Sequence, residues 1–317
     1  ALSGMVAVNA NESTGLQTID QALLPGAVPA GQRTAAFALY NLLAAVAAAL
    51  GALSVGLLPM FGPALGLAGA QIYAPAFVLY ALLGVAGLLI TARLDSRAES
   101  AESAESAESA ESGVPQKRRL AIDRSRPVVA RLSLLFGLDA FAGSFIVQSF
   151  LAYFLATRFG ADAAAVGALF FASMLLSAVS FPVAAVLARR IGLINTMVFT
   201  HIPSSVFLIG MALSPSFALA AAFQLARAAL SSMDVPTRQS YTMAVVDPAE
   251  RTATAGVTSL ARAIAGVPGP AIGGFLVTLG LGVPLIATGV LKITYDLLLF
   301  AQFRAHPAPE ELPPSEG

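Results

Sequence analysis

The stretch TRQSYTMAVVDPAERTATAGVTSL, residues 237–260, decides how the chain is read. It gathers Asp247, Glu250 and Arg251 within five positions of a sequence that is 57% hydrophobic and only 11% charged. Soluble domains carry about 25% charged residues. The deficit points to an all-α integral membrane protein, in which a knot of charge marks either a water-facing turn or a functional group. A second stretch, IDQALLPGAVPAGQRTAAFALYNL at residues 19–42, reads as a divergent copy of the first, 218 positions earlier.

Composition also removes several functions. Formal net charge is zero, so there is no electrostatic footprint for nucleic acid. There is no cysteine, which excludes disulfides and thiolate chemistry. Of the two histidines, His306 lies in the polar tail and His201 stands alone in an apolar run, so neither a metal site nor a cofactor is expected. No HExxH motif, P-loop or serine elbow is present, and the chain is read as a non-enzyme.

A membrane helix needs about 20 mostly apolar residues. That ruler gives eight clear spans, at roughly 34–58, 74–92, 128–157, 164–187, 194–213, 216–237, 252–280 and 284–303. Residues 1–28 form a weaker ninth, giving about nine spans. The loop 93–127 carries Arg93, Arg97, Lys117, Arg118, Arg119, Arg124 and Arg126. Arg33, Arg189, Arg190, Arg238, Arg251 and Arg304 fall on the same side if spans alternate, and the opposite loops hold only Arg158. The positive-inside rule makes that first side cytoplasmic, together with the tail 305–317. Residues 98–112 repeat Ala-Glu-Ser five times, a run with no apolar face that is expected as a solvated spacer.

The two quoted stretches align without gaps. Gln21 meets Gln239, Arg33-Thr34-Ala35 meets Arg251-Thr252-Ala253, and Gly51 meets Gly269. In each copy an inward span ends, a short turn follows, and an outward span begins, so Gln21, Arg33, Gln239, Asp247 and Arg251 are expected at cytoplasmic turns. Parallel internal repeats are what a two-bundle transporter produces. Two motifs add detail. Ala185-Val186-Leu187-Ala188-Arg189-Arg190-Ile191-Gly192-Leu193-Ile194 matches G-x-L-A-D-R-x-G-R-[RK] at Leu187, Ala188, Arg190 and Gly192, and departs from it at the first Gly, the Asp and the final basic positions. Gly269-Pro270-Ala271-Ile272-Gly273-Gly274 matches GPxxGG, a pattern that close helix packing and a Pro kink also explain.

On these residues the chain resembles the major facilitator superfamily of secondary transporters, along essentially its whole length. The resemblance implies two helical bundles joined by a long loop. Residues 1–92 would be a partial N-terminal bundle, spans 4–6, with spans 1–3 absent. Residues 93–127 would be the linker and 128–304 the complete six-span C-terminal bundle.

Charges that no turn explains remain inside the spans, each costing about 2.5–3.5 kcal/mol near mid-bilayer on insertion scales. Arg227, Ser231, Asp234 and Arg238 recur at i, i+4, i+7 and i+11, one helical face. The repeat partner carries Glu12 and Asp20. The family resemblance implies that both faces line a central cavity. Asp139 lies about 18 Å into its span and Arg227 about 16 Å into its own, so an ion pair between them is expected, as a gate or a permanent tie. Arg262 is expected at the interface of the halves. Lys292 and Asp296, at i and i+4, are expected to neutralise each other outside the site.

The expected function is transport of a small solute by alternating access, by a monomer of the cytoplasmic membrane. Proton-coupled efflux by antiport is favoured, with Glu12 or Asp139 carrying the proton. Uptake symport, facilitation or a non-transporting chain are the alternatives.

Overall fold

A computed structural model of the chain describes residues 21, 23–63, 66–89, 122–306, 308 and 311. The expectations on Glu12 and Asp20, and most of the linker, lie outside these residues. All regular structure among them is helical. The long helices are α1 (Arg33–Phe61), α2 (74–89), α3 (Arg126–Gly143), α4 (Gln148–Phe159), α5 (Ala163–Ile191), α6 (Leu193–Leu213), α7 (Phe217–Ser231), α8 (Asp234–Ala244), α9 (Arg251–Gly266), α10 (Gly269–Leu279) and α11 (Val283–Phe303). The chain divides into two compact units, one of residues 1–46 with 121–317 and the other of residues 47–120.

Seven runs among the described residues are long and apolar enough to cross a membrane: Ala30–Gly51, Gln71–Leu89, Arg126–Phe159, Ala164–Ile191, Leu193–Leu213, Pro248–Leu279 and Val283–Phe303. The sixth expected span, 216–237, is instead two helices, α7 and α8. The chain tightens between them, where Met233 N–H donates to Leu230 O and Val235 N–H to Ser232 O. Two of the seven runs are broken as well. Residues 144–147 separate α3 from α4, and Val267–Pro268 separate α9 from α10.

The repeat is written into the backbone. A 3-10 turn covers Ala30–Gln32 and another covers Pro248–Glu250, and the helices that follow begin at Arg33 and Arg251. Each pair of positions differs by the same 218 residues as the sequence alignment.

Within the first unit α3 packs on α9 and α11, α6 on α7, α8 and α11, and α5 on α7. Lipid tails are as apolar as leucine, so packing shape and buried hydrogen bonds hold such a bundle together. Glycines permit the closest approaches. A Cβ on Gly273 would sit 2.3 Å from Phe145 O, and one on Gly289 would sit 2.9 Å from Ser205 O. A Cβ on Gly269 would collide with the Ser144 side chain, while one on Gly274 would meet nothing within 4 Å. Two glycines of the GPAIGG run therefore exist to seat α10 on the α3–α4 break.

The start of α1 presents Thr34, Phe37, Ala38 and Asn41 inward and Leu39, Leu43 and Val46 outward. Phe37 packs with Met243 and Ala255, and Ala38 with Phe181 and Ala185. In the second unit the large apolar side chains from Phe77 to Leu89 are exposed, as expected of a lipid-facing helix.

Candidate functional site

Asp139 sits near the end of α3, four residues before the break, with 4% of its surface exposed. Its carboxylate collects cations from three other helices. Lys292 Nζ of α11 donates to Oδ1 at 2.5 Å, Arg262 Nη1 of α9 to Oδ2 at 3.1 Å, and Arg238 Nη1 of α8 approaches Oδ2 at 3.5 Å. Arg238 also donates to Asp234 Oδ2 at 2.6 Å, an i,i+4 pair within α8. The Arg238 guanidinium lies over the Phe136 ring, 5.5 Å from its centroid. Asp234 is buried, and Ser231 is half-buried at the end of α7.

The breaks in the helices make this meeting possible. Where α3 stops, Thr288 Oγ1 of α11 donates at 3.0 Å to the Ala142 carbonyl, which the Phe145 N–H reaches only at 3.5 Å. Irregular backbone at membrane depth persists only where side chains, water or neighbouring helices satisfy it. Gly143 lies under Lys292, since a Cβ there would be 3.7 Å from Nζ. Asp234 opens α8 directly after the break, and Arg262 lies five residues before the one that ends α9.

The structure corrects two pairings. Asp139 and Arg227 do not pair. Arg227, on α7, instead approaches Gln224 Oε1 at 3.4 Å. The expectation used depth along a helix, which says nothing about direction around it, and α7 packs on α5 and α6. Lys292 and Asp296 do not neutralise each other either. Lys292 serves Asp139, and both Asp296 oxygens lie 3.0 Å from His201 Nδ1 of α6. His201 and Asp296 are buried partners across 95 positions of sequence, not a lone histidine and a peripheral carboxylate.

The four charged or polar residues expected on one face are divided by the α7–α8 junction. Asp234 and Arg238 join the Asp139 cluster, and Arg227 stays with Gln224. Arg262 belongs to that cluster too, bonded within the 121–317 part of the chain.

Gln239 does not occupy a turn. It is buried in α8, where its Oε1 accepts from Asn41 Nδ2 of α1 at 2.8 Å. Thr34 Oγ1 donates to Ser240 Oγ at 2.8 Å beside it. These two bonds tie α1 to α8. Gln21 is half-buried in a short helical segment, and Arg33 starts α1.

Asp247 and Arg251 do occupy the turn. Asp247 Oδ1 accepts from Ala249 N–H and Oδ2 from Arg124, while Arg251 Nε donates to Met243 O at 2.9 Å. Glu250, which the sequence reading counts among the charges of this stretch without a partner, accepts three backbone N–H groups, from Asp123, Arg124 and Ser125, at 2.8–2.9 Å. The carboxylate holds the residues that lead into α3.

Gly192 separates α5 from α6 with φ +89°, a backbone conformation that favours glycine. The Leu193 N–H after it donates to Glu311 Oε1 at 2.5 Å, and Ala308 N–H to Oε2 at 2.8 Å. A carboxylate from the tail thus reaches the turn whose own Asp position holds Arg189. Arg190, Gly192, Arg304 and Glu311 line a cavity of about 640 Å³ there.

Among the described residues no three His, Cys, Asp or Glu side chains come together as a metal site. What the interior offers is a set of charged groups from separate helices gathered around one carboxylate.

Two comparisons bear on identity. The chain is 25% identical over 326 aligned residues to the uncharacterized membrane protein YJR124C of Saccharomyces cerevisiae, covering 96% of this chain and 73% of that one. The Major Facilitator Superfamily profile matches residues 132–317, from α3 through α11 to the end of the tail. With a bundle of paired, broken helices beneath that match, the chain belongs to the major facilitator superfamily, a family of membrane transporters.

Proposed function

We propose that the protein is a secondary active transporter that moves a small solute by alternating access, and that it exports the solute in exchange for protons. The carrying observation is the Asp139 carboxylate, shared by Arg238, Arg262 and Lys292 from three helices. Removing one partner of a buried pair costs about 3–5 kcal/mol, so any helix movement that parts Asp139 from a cation must supply it with another group. A proton arriving at the site is such a group. The discontinuous helices around the cluster support this reading, because transporter sites are built at such breaks.

Residues 1–92 are proposed as a partial N-terminal bundle, 93–127 as its linker and 128–304 as the complete bundle. The basic content of residues 93–127 supports a cytoplasmic linker and tail in a cytoplasmic membrane. Asp139, Asp234, Arg238 and Ser231 are proposed to line the pathway with Arg227, Glu12 and Asp20. Glu12 or Asp139 is proposed as the proton carrier. Export rather than uptake rests on residues 269–274, GPAIGG, which resemble the GPxxGG ending of a motif that many drug/proton antiporters of the family carry in span 5 and this chain carries in the equivalent of span 11, and a monomer is expected.

The test is a flux screen on the full-length protein in inside-out vesicles acidified within. Proton-coupled export gives accumulation of a solute that collapses when the pH gradient is removed, and Glu12→Gln or Asp139→Asn abolishes it. Accumulation only in right-side-out vesicles with acid outside would instead show uptake by symport. No solute moving faster than through protein-free vesicles would leave a non-transporting member of the family.

A further inference from the structure

The interior charges of the described spans do not cancel. Four cations, Arg227, Arg238, Arg262 and Lys292, stand against three carboxylates, Asp139, Asp234 and Asp296. Every one of those carboxylates is already engaged. Asp139 takes Lys292, Arg262 and Arg238, Asp234 takes Arg238, and Asp296 takes His201. None of these three is left for a cationic solute. Three of the cations stand with Asp139 and Asp234, and Asp296 stands with His201, so the cation that meets no carboxylate among the described residues is Arg227, ten residues into α7 and therefore about 15 Å from its start.

Among the described residues the Arg227 guanidinium meets no carboxylate. Its one polar contact is the neutral Gln224 Oε1 at 3.4 Å, a long bond, and Gln224 is itself buried and steered by Ser173 Oγ at 3.4 Å. A guanidinium has five N–H donors in a planar fork that fits a carboxylate or phosphate through two parallel bonds. Here that fork is held by a buried glutamine and its remaining donors are unspent. Holding an unpaired cation at this depth is costly, and charges kept inside membrane segments generally mark the path of a substrate or ion.

We propose that the transported solute is an anion with a compact oxyanion head, a carboxylate, sulfonate or phosphate, and that Arg227 binds that head. This rests on the transporter reading above and names its substrate class. The Asp139 cluster is then the element whose pairings change, and Gln224 is a positioning residue for the Arg227 fork.

The experiment uses the purified full-length protein and four probes at matched ionic strength: benzoate, succinate, inorganic phosphate and tetraethylammonium. Thermal unfolding is followed with each. At least one of the three anions is expected to raise the midpoint and tetraethylammonium to leave it unchanged. Arg227→Gln is expected to raise the half-saturating anion concentration about tenfold or more, the scale of a lost hydrogen bond to a charged group. Arg227→Lys keeps the charge but not the fork, and is expected to fall between. If Arg227→Gln does not fold, the wild-type contrast between anions and tetraethylammonium and the weakening in Arg227→Lys decide the matter.

Protection by tetraethylammonium alone, protection by no anion, or equal protection in Arg227→Gln overturns the proposal. So does rescue of Arg227→Gln stability by Glu12→Gln with no anion effect, which would make the counter-charge part of the chain. Counterflow of the labelled probes in vesicles separates the two readings. An anion that protects through Arg227 but is never exchanged leaves the site standing and refutes transport. Exchange of tetraethylammonium upholds transport and refutes the anion.

Discussion

The turns at Ala30–Gln32 and Pro248–Glu250 share a backbone and differ in chemistry. Pro29 precedes the first and makes no side-chain cap, whereas Asp247 precedes the second and caps Ala249. Gln32 stands where Glu250 stands, and only Glu250 gathers the amides of residues 123–125. The contrast continues along the helices that follow. Eleven residues into α1 is Ala44, exposed on the helix surface, and eleven residues into α9 is Arg262, bonded to Asp139. The repeat therefore fixes backbone shape, and charge was added or kept where a specific neighbour uses it.

Exchanging residues between the copies is the sharpest way to break this comparison. Ala44→Arg would place a cation at mid-bilayer depth with no evolved partner, costing about 2.5–3.5 kcal/mol on insertion scales. Arg262→Ala removes a charged bond to a carboxylate that keeps two other cations, and about 1.5–3 kcal/mol is expected. Unfolding of the purified protein in detergent measures both. If Ala44→Arg is tolerated without loss, the copies are not chemically distinct at this level.

The paired glycines give a smaller effect of the same form. Gly269→Ala drives a methyl into Ser144 and is expected to cost about 1–3 kcal/mol by overpacking. Gly51→Ala, its counterpart, meets nothing within 4 Å among the described residues and gains up to about 1 kcal/mol of helix propensity. Equal melting shifts for the two would contradict the packing assigned to the α3–α4 break.

At the turn itself, Glu250→Gln is expected to lower the melting midpoint by less than Gly269→Ala, and to speed amide exchange at residues 123–125. Gln32→Glu should change neither. Smallest of all is the bond from Asn41 to Gln239. Interhelical hydrogen bonds in membranes average about 0.6 kcal/mol by double-mutant cycles, and a cycle of Asn41→Leu with Gln239→Leu should return that order of coupling.

These contrasts also show which features were legible in the sequence. The spans and the repeat were readable because they depend on local periodicity and on a gapless offset, and the turn residues Asp247 and Arg251 followed from them. The partners of the interior charges were not. Spacing gives depth along a helix but not the azimuth at which neighbours meet, so Asp139 was matched with Arg227 when Lys292 and Arg262 lay closer. The i,i+4 rule made Lys292 and Asp296 look self-sufficient. It could not register that His201, in a different helix, would claim Asp296. The break between α7 and α8 was also hidden, although Ser231-Ser232-Met233-Asp234 followed by Pro236 carries weak helix formers at that place. Glu311 lay in a tail that reads as plain polar sequence.

The central claim is that the charges concentrated in residues 121–317 are transport machinery and not inert ties. Gradient-driven flux of Asp139→Asn in vesicles, beside wild type reconstituted at equal density, tests it most directly. The account predicts that accumulation is lost while the variant still elutes as a folded monomer, because the amide cannot balance three cations through a change of partners. Undiminished accumulation with an unchanged dependence on the pH gradient would contradict it.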